Sequence, residues 1–309
     1  MNFAAVGRGI PRRNGAIQAT GRAQYGVDFS LPRMLWGAIV RSEQSHARIV
    51  KVDVSRALAH PGVKAVVTGQ EAPDGLYGAR LRDEPIFAKD RVRYGGEPVA
   101  AVAAVDADTA AEAARLVKVE YELLPFVLEP EAAMAADAPL IWPEGNLCPD
   151  VHNNFAPIVS DLGDIAAGFA EADQVFAQHY ETGFVHNAQL ERRCALAYWQ
   201  GDTLTLYTPS QGIANCRHDM ARDLGLEDHQ VRVVCNYMGG GFGNKNQNQD
   251  ADLIAATLSR HTNAPVMLEY SRREDWLGMH GRWPTVLQYT VGVTNDGTVT
   301  AIQLIGYSG

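Results

Sequence analysis

A glycine-rich run that contains one aromatic residue is the part of this sequence best suited to chemistry. It covers residues 238–245 and reads MGGGFGNK, between a strand-like stretch at 231–235 and a helix-like stretch at 250–258. Glycines at a strand-to-helix turn let the backbone approach a ligand closely, with N–H groups free to face it. The positive end of the following helix favours an anion such as a phosphate. We therefore expect a ligand-holding loop from which the ring of Phe242 projects.

Two familiar anion-binding loops do not match this run. A P-loop ends in Gly-Lys followed by Ser or Thr, whereas Lys245 is followed by Asn246, which offers no hydroxyl for magnesium. A dinucleotide-binding fingerprint needs a third glycine where this chain has Asn244, and it opens a repeated βαβ domain that the preceding sequence does not show. A flexible glycine turn without a ligand is the plain alternative. Phe242 and Lys245 argue against that alternative but leave it open.

Length and composition indicate a soluble globular protein with two domains. The 309 residues, of which 46% are hydrophobic and 20% charged, suffice for two cores. A net charge of −9 argues against a nucleic acid or an anionic membrane surface as a partner. No apolar run approaches the ~20 residues of a membrane span. The first residues lack the basic and apolar segments of a signal peptide.

The four cysteines are scattered along the second half of the sequence, at Cys148, Cys194, Cys216 and Cys235. None forms a C-x-x-C pair with another, so the pattern indicates neither a zinc site nor a disulfide framework. Reduced thiols are the simplest interpretation, and they predict a cytoplasmic location.

Hydrophobic periodicity predicts short strands mixed with helices, which is an α+β or mixed α/β pattern. We predict strands at 35–40, 65–68, 98–105, 117–122, 174–181, 203–207, 231–235, 286–291 and 299–302, and helices at 54–59, 109–116 and 250–258. A hairpin turn is expected at 295–298. Composition shifts divide the chain into an N-terminal arm (1–16), a first domain (17–130), a connection (131–160) and a second domain (161–309).

Several segments, in order, resemble the molybdenum-binding large subunit of the xanthine dehydrogenase/aldehyde oxidase family of molybdenum hydroxylases. Segments of the first domain carry the resemblance at 20–28 (TGRAQYGVD), 40–49 (VRSEQSHARI), 57–63 (ALAHPGV), 92–100 (VRYGGEPVA) and 119–125 (VEYELLP). The resemblance implies that 17–130 form an α/β-hammerhead domain, and that 161–309 form the first molybdopterin-binding domain. The second molybdopterin-binding domain of the family has no counterpart in this chain.

The glycine run matches the family signature GGGFGxK, and Tyr207–Gln211 is similar to a family strand end that places a glutamine near an oxo ligand of molybdenum. An amide N–H₂ donates to such a ligand without adding charge or competing as a metal ligand. The resemblance implies catalytic roles for Gln211 and Phe242, with Phe242 beside the substrate channel. By itself, Gln211 would be read as a surface glutamine. The implied cofactor-binding residues are Gln211, Gly240, Gly241, Phe242 and Gly243.

The substrate pocket is predicted from residues near these two motifs. Asn246 stands where purine-oxidising members of the family have a Glu, so a purine substrate is disfavoured. Leu190–Glu191 matches a family pair, but two arginines replace the Pro-His that usually follows. Candidate pocket residues are therefore Asn246, Glu191, His186 and Arg192. The alternative is a structural salt-bridge network, which is common.

The resemblance also implies partners. The family's general base is a Glu in the second molybdopterin-binding region, so we expect it on another chain, and no metal ligand is expected from side chains here. The sequence lacks the clustered cysteines of iron–sulfur centres and a flavin fingerprint. We therefore expect a second molybdopterin-binding subunit, a 2Fe–2S subunit and an FAD subunit. The expected cofactor is molybdenum–molybdopterin, with the cytosine dinucleotide form as one option.

The implied function is oxidation of an aldehyde or N-heteroaromatic substrate, with oxygen from water and electrons passing to the partner subunits. Two other functions stay open at this point. One keeps the cofactor but carries out reductive dehydroxylation or hydration. The other is a non-catalytic subunit that holds the pterin and assembles partners.

Overall fold

The structure is a computed structural model that describes residues 4, 6–78, 82–143, 145–147, 159–278 and 280–309. Parts of the predicted N-terminal arm and of the predicted connection, including Cys148, lie outside the described residues. Two single 3₁₀ turns occur at Gly26–Asp28 and Asp228–Gln230. The α-helices are α1 (Gly15–Ala19), α2 (Ser55–Leu58), α3 (Ala107–Leu116), α4 (Pro130–Ala133), α5 (Ile165–Ala170), α6 (Ile213–Asp223), α7 (Asp250–Thr262) and α8 (Arg272–Leu277).

The strands form one large sheet and three small ones. They are β1 (Leu35–Arg41), β2 (Ala47–Asp53), β3 (Val63–Thr68), β4 (Leu76–Tyr77), β5 (Glu84–Pro85), β6 (Arg91–Val92), β7 (Pro98–Ala104), β8 (Lys118–Leu123), β9 (Gln174–Thr182), β10 (Cys194–Gln200), β11 (Thr203–Tyr207), β12 (Val231–Val234), β13 (Val266–Glu269), β14 (Thr285–Val293) and β15 (Val299–Ser308). The predicted strands and helices are all present, and the α+β class is confirmed. The strands β2, β4, β5, β6, β10 and β13 and the helices α1, α4, α5, α6 and α8 were not predicted.

The large sheet takes strands from both halves of the chain, in the order β12-β11-β10-β13-β1-β7-β3. β1 lies parallel to β13, with Leu35 opposite Val266, and antiparallel to β7. The strands therefore join the two predicted domains edge to edge. The domain boundaries stay a prediction, but the two segments share one sheet.

Two cores lie on opposite faces of this sheet. β7 is buried along its whole length, and its small side chains alternate between the two cores. α6 and α7 contribute to one core, whereas α2 and α3 contribute to the other. Because α7 packs on strands from both halves of the chain, the whole sheet fixes the position at which this helix begins.

Arg41, the last residue of β1, is bound to the start of α7. Its guanidinium lies 3.0 Å from the carboxylate of Asp250, the first residue of that helix, and both side chains are almost fully buried. Tyr270 donates a hydrogen bond to the same carboxylate, and its ring lies 4.7 Å from the Arg41 guanidinium carbon. Burial opposes the charge, but Tyr270 and Asp250 raise the pKa of Arg41 overall. A buried ion pair with this many partners fixes geometry.

The smaller sheets are separate from the large one. β2 pairs with β6 and β8 in the first half of the chain, and β4 pairs with β5. In the second half, β14 lies between β9 and β15. The predicted hairpin turn joins β14 to β15, with Gly297 in the left-handed region and the Thr294 N–H donating to the Thr298 carbonyl at 2.9 Å.

In the part of the chain that the structure describes, no helix has both the length and the hydropathy to cross a membrane. Cys194, Cys216 and Cys235 are not in disulfides.

Glu97 lies in a tight turn before β7. It is 1% exposed, and its carboxylate accepts the Arg93 N–H and lies 3.8 Å from the Arg93 guanidinium. The neighbouring Gly96 adopts φ +103°, and a Cβ there would meet the Leu277 carbonyl oxygen at 2.7 Å. Burial raises the pKa of Glu97 to about 7, although the Arg93 N–H and guanidinium act in the opposite direction.

We predict that Glu97→Gln makes folding less sensitive to pH. A carboxyl whose pKa is raised in the folded protein binds more protons folded than unfolded between ~4.5 and 7, so stability falls as pH rises through that window. We expect Glu97→Gln to remove about 2–3 kcal/mol of that fall. Urea unfolding at pH 5 and pH 8 measures it, with the exposed Glu43→Gln as control. Equal pH dependence in wild type and Glu97→Gln would contradict the prediction.

Candidate functional site

The glycine loop lies between β12 and α7, and two of its glycines are required by close approach. A Cβ on Gly239 would collide with the side chain of Glu191, and a Cβ on Gly241 would collide with the carboxamide of Gln211. The loop therefore lies directly against both of these side chains, which the sequence had singled out separately. A flexible turn without constraints would not need glycine at these two positions.

Gln211 follows β11, and its carboxamide is anchored at one end. Its Oε1 accepts the N–H of Gly243 at 2.9 Å and the N–H of Lys245 at 3.2 Å. The backbone N–H of Gln211 donates to the Lys245 carbonyl at 2.7 Å. Gln211 is exposed, and its Nε2 forms no hydrogen bond with any described residue. Because the oxygen is held by the loop, the N–H₂ group points outward as a fixed, uncharged donor.

Phe242 projects from the loop as expected, with 65% of the residue exposed. Its φ of +50° lies in the left-handed region, which is uncommon for residues other than glycine. The ring lies over Gly240, where a Cβ would stand 3.2 Å from Cε2 of the ring. The loop therefore presents one open aromatic ring that lies against its own backbone at Gly240.

A buried ion pair lies beneath the loop. Glu191 Oε2 accepts from the Lys245 ammonium at 3.0 Å and from the Gly239 N–H at 2.7 Å, and Oε1 accepts from the Gly26 N–H at 3.2 Å. The Lys245 side chain is 0% exposed and that of Glu191 is 8% exposed. Burial lowers the pKa of Lys245, and Glu191 opposes that change. The Glu191 carboxylate is thus occupied by donors from within the protein. This favours a structural salt bridge over a role for Glu191 in the substrate pocket.

The two arginines after Glu191 serve different partners. Arg192 pairs with Glu269 at the end of β13. Arg193 is fully buried, pairs with Asp252 in the first turn of α7, and donates to the Pro209 carbonyl at 3.2 Å. Arg193 therefore connects the segment that carries Gln211 to the helix that follows the glycine loop.

His186 and Asn246 occupy contrasting positions. The His186 side chain is buried, accepts the Ala188 N–H at 2.9 Å, and stacks on Trp276 with ring centroids 4.8 Å apart. Asn246 is exposed, and its amide donates to the Gly243 carbonyl at 3.2 Å. Asn246 is thus available beside the loop, whereas His186 supports the segment before Glu191.

The structure brings Gln211, Phe242, Gly243 and Asn246 together at one exposed surface, with Gly240 half-buried and Gly241 buried beside them. Glu191 and His186 lie behind this surface. The sequence did not indicate the roles of Arg193 or Lys245 beneath the loop. The only available signal was the charge of these residues within otherwise apolar or glycine-rich stretches. Among the described residues, no group of three or more His, Cys, Asp or Glu side chains could hold a metal ion.

We predict that Glu191→Gln destabilises the loop in a pH-dependent way. The variant keeps an acceptor for Gly239 but leaves Lys245 charged and unpaired in a buried place, at a cost of about 3 kcal/mol at pH 7. The pKa of Lys245 should fall further, because its charged partner is gone. A lysine whose pKa is lower folded than unfolded gains stability as pH rises toward the unfolded value of ~10.4.

Urea unfolding at pH 7 and pH 10 tests this prediction. The half-exposed pair Arg192–Glu269 supplies the control, since Glu269→Gln should cost less than about 1 kcal/mol at either pH. A pH-independent loss of similar size in both variants would contradict the buried-pair interpretation.

Comparison with known proteins identifies the family. Residues 148–308 match the molybdopterin cofactor-binding domain family, and residues 20–125 match the a/b hammerhead domain of aldehyde oxidase and xanthine dehydrogenase. The chain is 32% identical over 293 residues to a probable xanthine dehydrogenase subunit of Bacillus subtilis, a match that covers 94% of this chain and 38% of that protein. It is 30% identical over 305 residues to the nicotinate dehydrogenase large molybdopterin subunit of Eubacterium barkeri, covering 98% and 70% respectively.

A solved structure has the same fold. Quinoline 2-oxidoreductase from Pseudomonas putida 86 superposes with a TM-score of 0.84 at 29% sequence identity, over 96% of this chain and 38% of the other. The chain thus spans well under two thirds of this protein and of the Bacillus relative. These matches confirm the resemblance seen in the sequence: the chain belongs to the molybdopterin-binding family of xanthine dehydrogenases and aldehyde oxidases, and it contains a hammerhead domain and a molybdopterin cofactor-binding domain.

Proposed function

We propose that this chain supplies one wall of the cofactor site in a multi-subunit molybdenum hydroxylase that oxidises an aldehyde or N-heteroaromatic substrate with water-derived oxygen. The observation that carries the proposal is the Gln211 carboxamide. Its oxygen is held by two loop N–H groups and its N–H₂ faces outward without a partner among the described residues. An uncharged donor of this kind suits an oxygen ligand of a metal.

The residues of the loop fit a molybdopterin. Gly239 and Gly241 let the loop backbone pack directly against Glu191 and Gln211, and this packing places the outward Gln211 N–H₂ beside the loop as an uncharged donor for the ligand. The membership of residues 148–308 in a molybdopterin cofactor-binding family supports the same ligand. When bound, molybdenum–molybdopterin supplies two-electron oxidation and the transfer of a water-derived oxygen.

In this proposal the side chains of the chain bind and orient. Gln211 Nε2 would donate to an oxygen ligand of the metal and so orient the cofactor. The open ring of Phe242 would form an apolar side of the substrate channel and exclude water from it. Asn246 has no carboxylate, so it cannot move a proton on a heterocycle, which disfavours purine substrates.

The proton acceptor is proposed to come from a second molybdopterin-binding region. Glu191, the carboxylate in contact with the loop, is already occupied by Lys245, Gly239 and Gly26. We therefore propose neither Glu191 nor His186 as a base, and we assign both to positioning.

The proposed complex contains a second molybdopterin-binding subunit, a 2Fe–2S subunit and an FAD subunit. Two observations support it: the relatives described above include proteins named as subunits, and the sequence lacks clustered cysteines. The cytosine dinucleotide form of the cofactor and a cytoplasmic location are parts of the same proposal.

The test is Gln211→Ala in the purified complex. We expect molybdenum and pterin to remain near wild-type content, since the loop keeps its buried Lys245–Glu191 anchor, and turnover of an aldehyde or N-heteroaromatic substrate to fall roughly 10- to 100-fold. Metal analysis, pterin fluorescence and ¹⁸O-water labelling provide the readouts. Gln70→Ala, on an exposed turn, is the matched control.

Different failures point to different conclusions. If molybdenum and pterin are absent from the wild-type complex, the hydroxylase proposal is wrong and a purely assembling role is favoured. If the cofactor is present but no label enters an oxidised product, reductive dehydroxylation or hydration is favoured. If turnover of Gln211→Ala equals wild type, the role of Gln211 is wrong.

A further inference from the structure

The backbone conformation of Phe242 is unfavourable for a residue that has a side chain, so other contacts must stabilise it. Its φ of +50° brings its Cβ close to the backbone, a cost that glycine at the same φ would avoid. Its ring is largely open, so packing of the ring contributes little to that conformation. A residue persists in this region only when its surroundings fix it.

Two side chains donate hydrogen bonds to the carbonyl oxygen of Phe242. The Asn187 amide donates one hydrogen bond to it, and Arg282 Nη2 donates another at 2.9 Å. Arg282 has no carboxylate within 4.0 Å among the described residues, so this carbonyl is its hydrogen-bond partner there. A hydrogen bond from a guanidinium is roughly twice as strong as a neutral one.

The two donors are held to each other by backbone contacts. Val185 and Arg282 exchange hydrogen bonds, with N–H to O distances of 3.0 and 2.8 Å. A Cβ on Gly281 would collide with the ring of Phe184, so glycine permits this close approach. Between Val185 and Asn187, the buried His186 stacks on Trp276. The donors therefore reach Phe242 from a rigid pair of segments.

Arg282 also covers the next glycine of the loop. Gly243 has φ +93°, and a Cβ there would stand 3.2 Å from Arg282 Nη2. The guanidinium thus lies against the backbone at 242–243, next to the N–H that holds Gln211. If Arg282 moved, the loop would lose its contacts at Phe242 and Gly243, the point from which the aromatic ring projects.

We propose that Asn187 and Arg282 are positioning residues that clamp the Phe242 carbonyl and thereby set the direction of its ring, which fixes the width of the substrate channel. The part that concerns the substrate rests on the proposed function. The part that concerns the loop depends only on contacts within this chain. Neither residue touches the reacting atoms in this proposal.

The loop part is tested by amide hydrogen exchange of the full chain. In Arg282→Gln and Asn187→Ala, the amides at 242–245 should exchange several-fold faster than in wild type, because the loop opens more often. Arg282→Lys, which retains one cationic donor, should restore part of the protection. Arg273→Gln is the matched control, since Arg273 is exposed on α8 and its side chain forms no ion pair with a described residue.

A second variant separates the clamp from general destabilisation. Phe242→Gly adopts the left-handed conformation without steric cost, so adding Arg282→Gln to it should change exchange at 242–245 much less than in wild type. If the effect of Arg282→Gln is as large in the Phe242→Gly background, or if exchange matches the Arg273→Gln control, the clamp is wrong.

The substrate part is tested in the complex with a small and a bulky aldehyde. Arg282→Gln should raise KM for the bulky aldehyde about tenfold more than for the small one, with kcat for the small aldehyde and molybdenum content retained. Equal changes for both aldehydes, or loss of the cofactor, would overturn the role in substrate selection. Absence of cofactor from the wild-type complex would contradict the proposed function, while the exchange result would still decide the clamp.

Discussion

The ion pair between Lys245 and Glu191 is the contact on which the rest of the site depends. Both side chains are withdrawn from water, the ammonium and the carboxylate lie 3.0 Å apart, and backbone N–H groups complete the shell of the carboxylate. The same carboxylate binds the loop at Gly239 and the first half of the chain at Gly26. Removing either charge would leave an unpaired ion under a loop that has no hydrophobic core of its own.

The exposed part of the site is arranged by that buried layer. The main chain of Lys245 both accepts from and donates to Gln211, so the residue whose ammonium is fixed below also fixes the carboxamide above. Arg193 adds a second buried connection, from Pro209 before Gln211 to Asp252 after the loop. A donor that is oriented before any ligand arrives costs no reorganisation when it is used. Preorganisation explains why paired charges are buried beneath the site, while the Gln211 carboxamide and the Phe242 ring above them are uncharged.

Sequence patterns predicted the local elements well, because strands such as β7 and helices such as α3 carry their own periodicity and caps. Asp106 accepts the Thr109 N–H at 2.7 Å and so caps the start of α3. The pairing of β1 with β13 could not be predicted in this way, since the two strands are more than two hundred residues apart and no local signal specifies the neighbour. The site shows the same division. Gln211 and the loop were found through motifs, whereas the burial of Glu191 and the contacts of Arg282 depend on tertiary packing. The sequence around an arginine or a glutamate does not show which partner its side chain will contact in the folded protein.

The division between buried charge and exposed neutral donors also limits what this surface can do in catalysis. The loop backbone, the Gln211 amide and the Phe242 ring can bind, orient and exclude water, but none of them titrates near neutral pH. Among the described residues, Glu191 is the carboxylate that is hydrogen-bonded to the loop, and it is committed to Lys245. Withdrawing it for proton transfer would strand a buried ammonium. Any other group that accepted the proton would have to leave the Glu191–Lys245 pair intact, because that pair holds the loop. A site built this way is therefore best matched to a bound group that carries the redox chemistry itself, with the chain providing a wall of groups that bind and orient it.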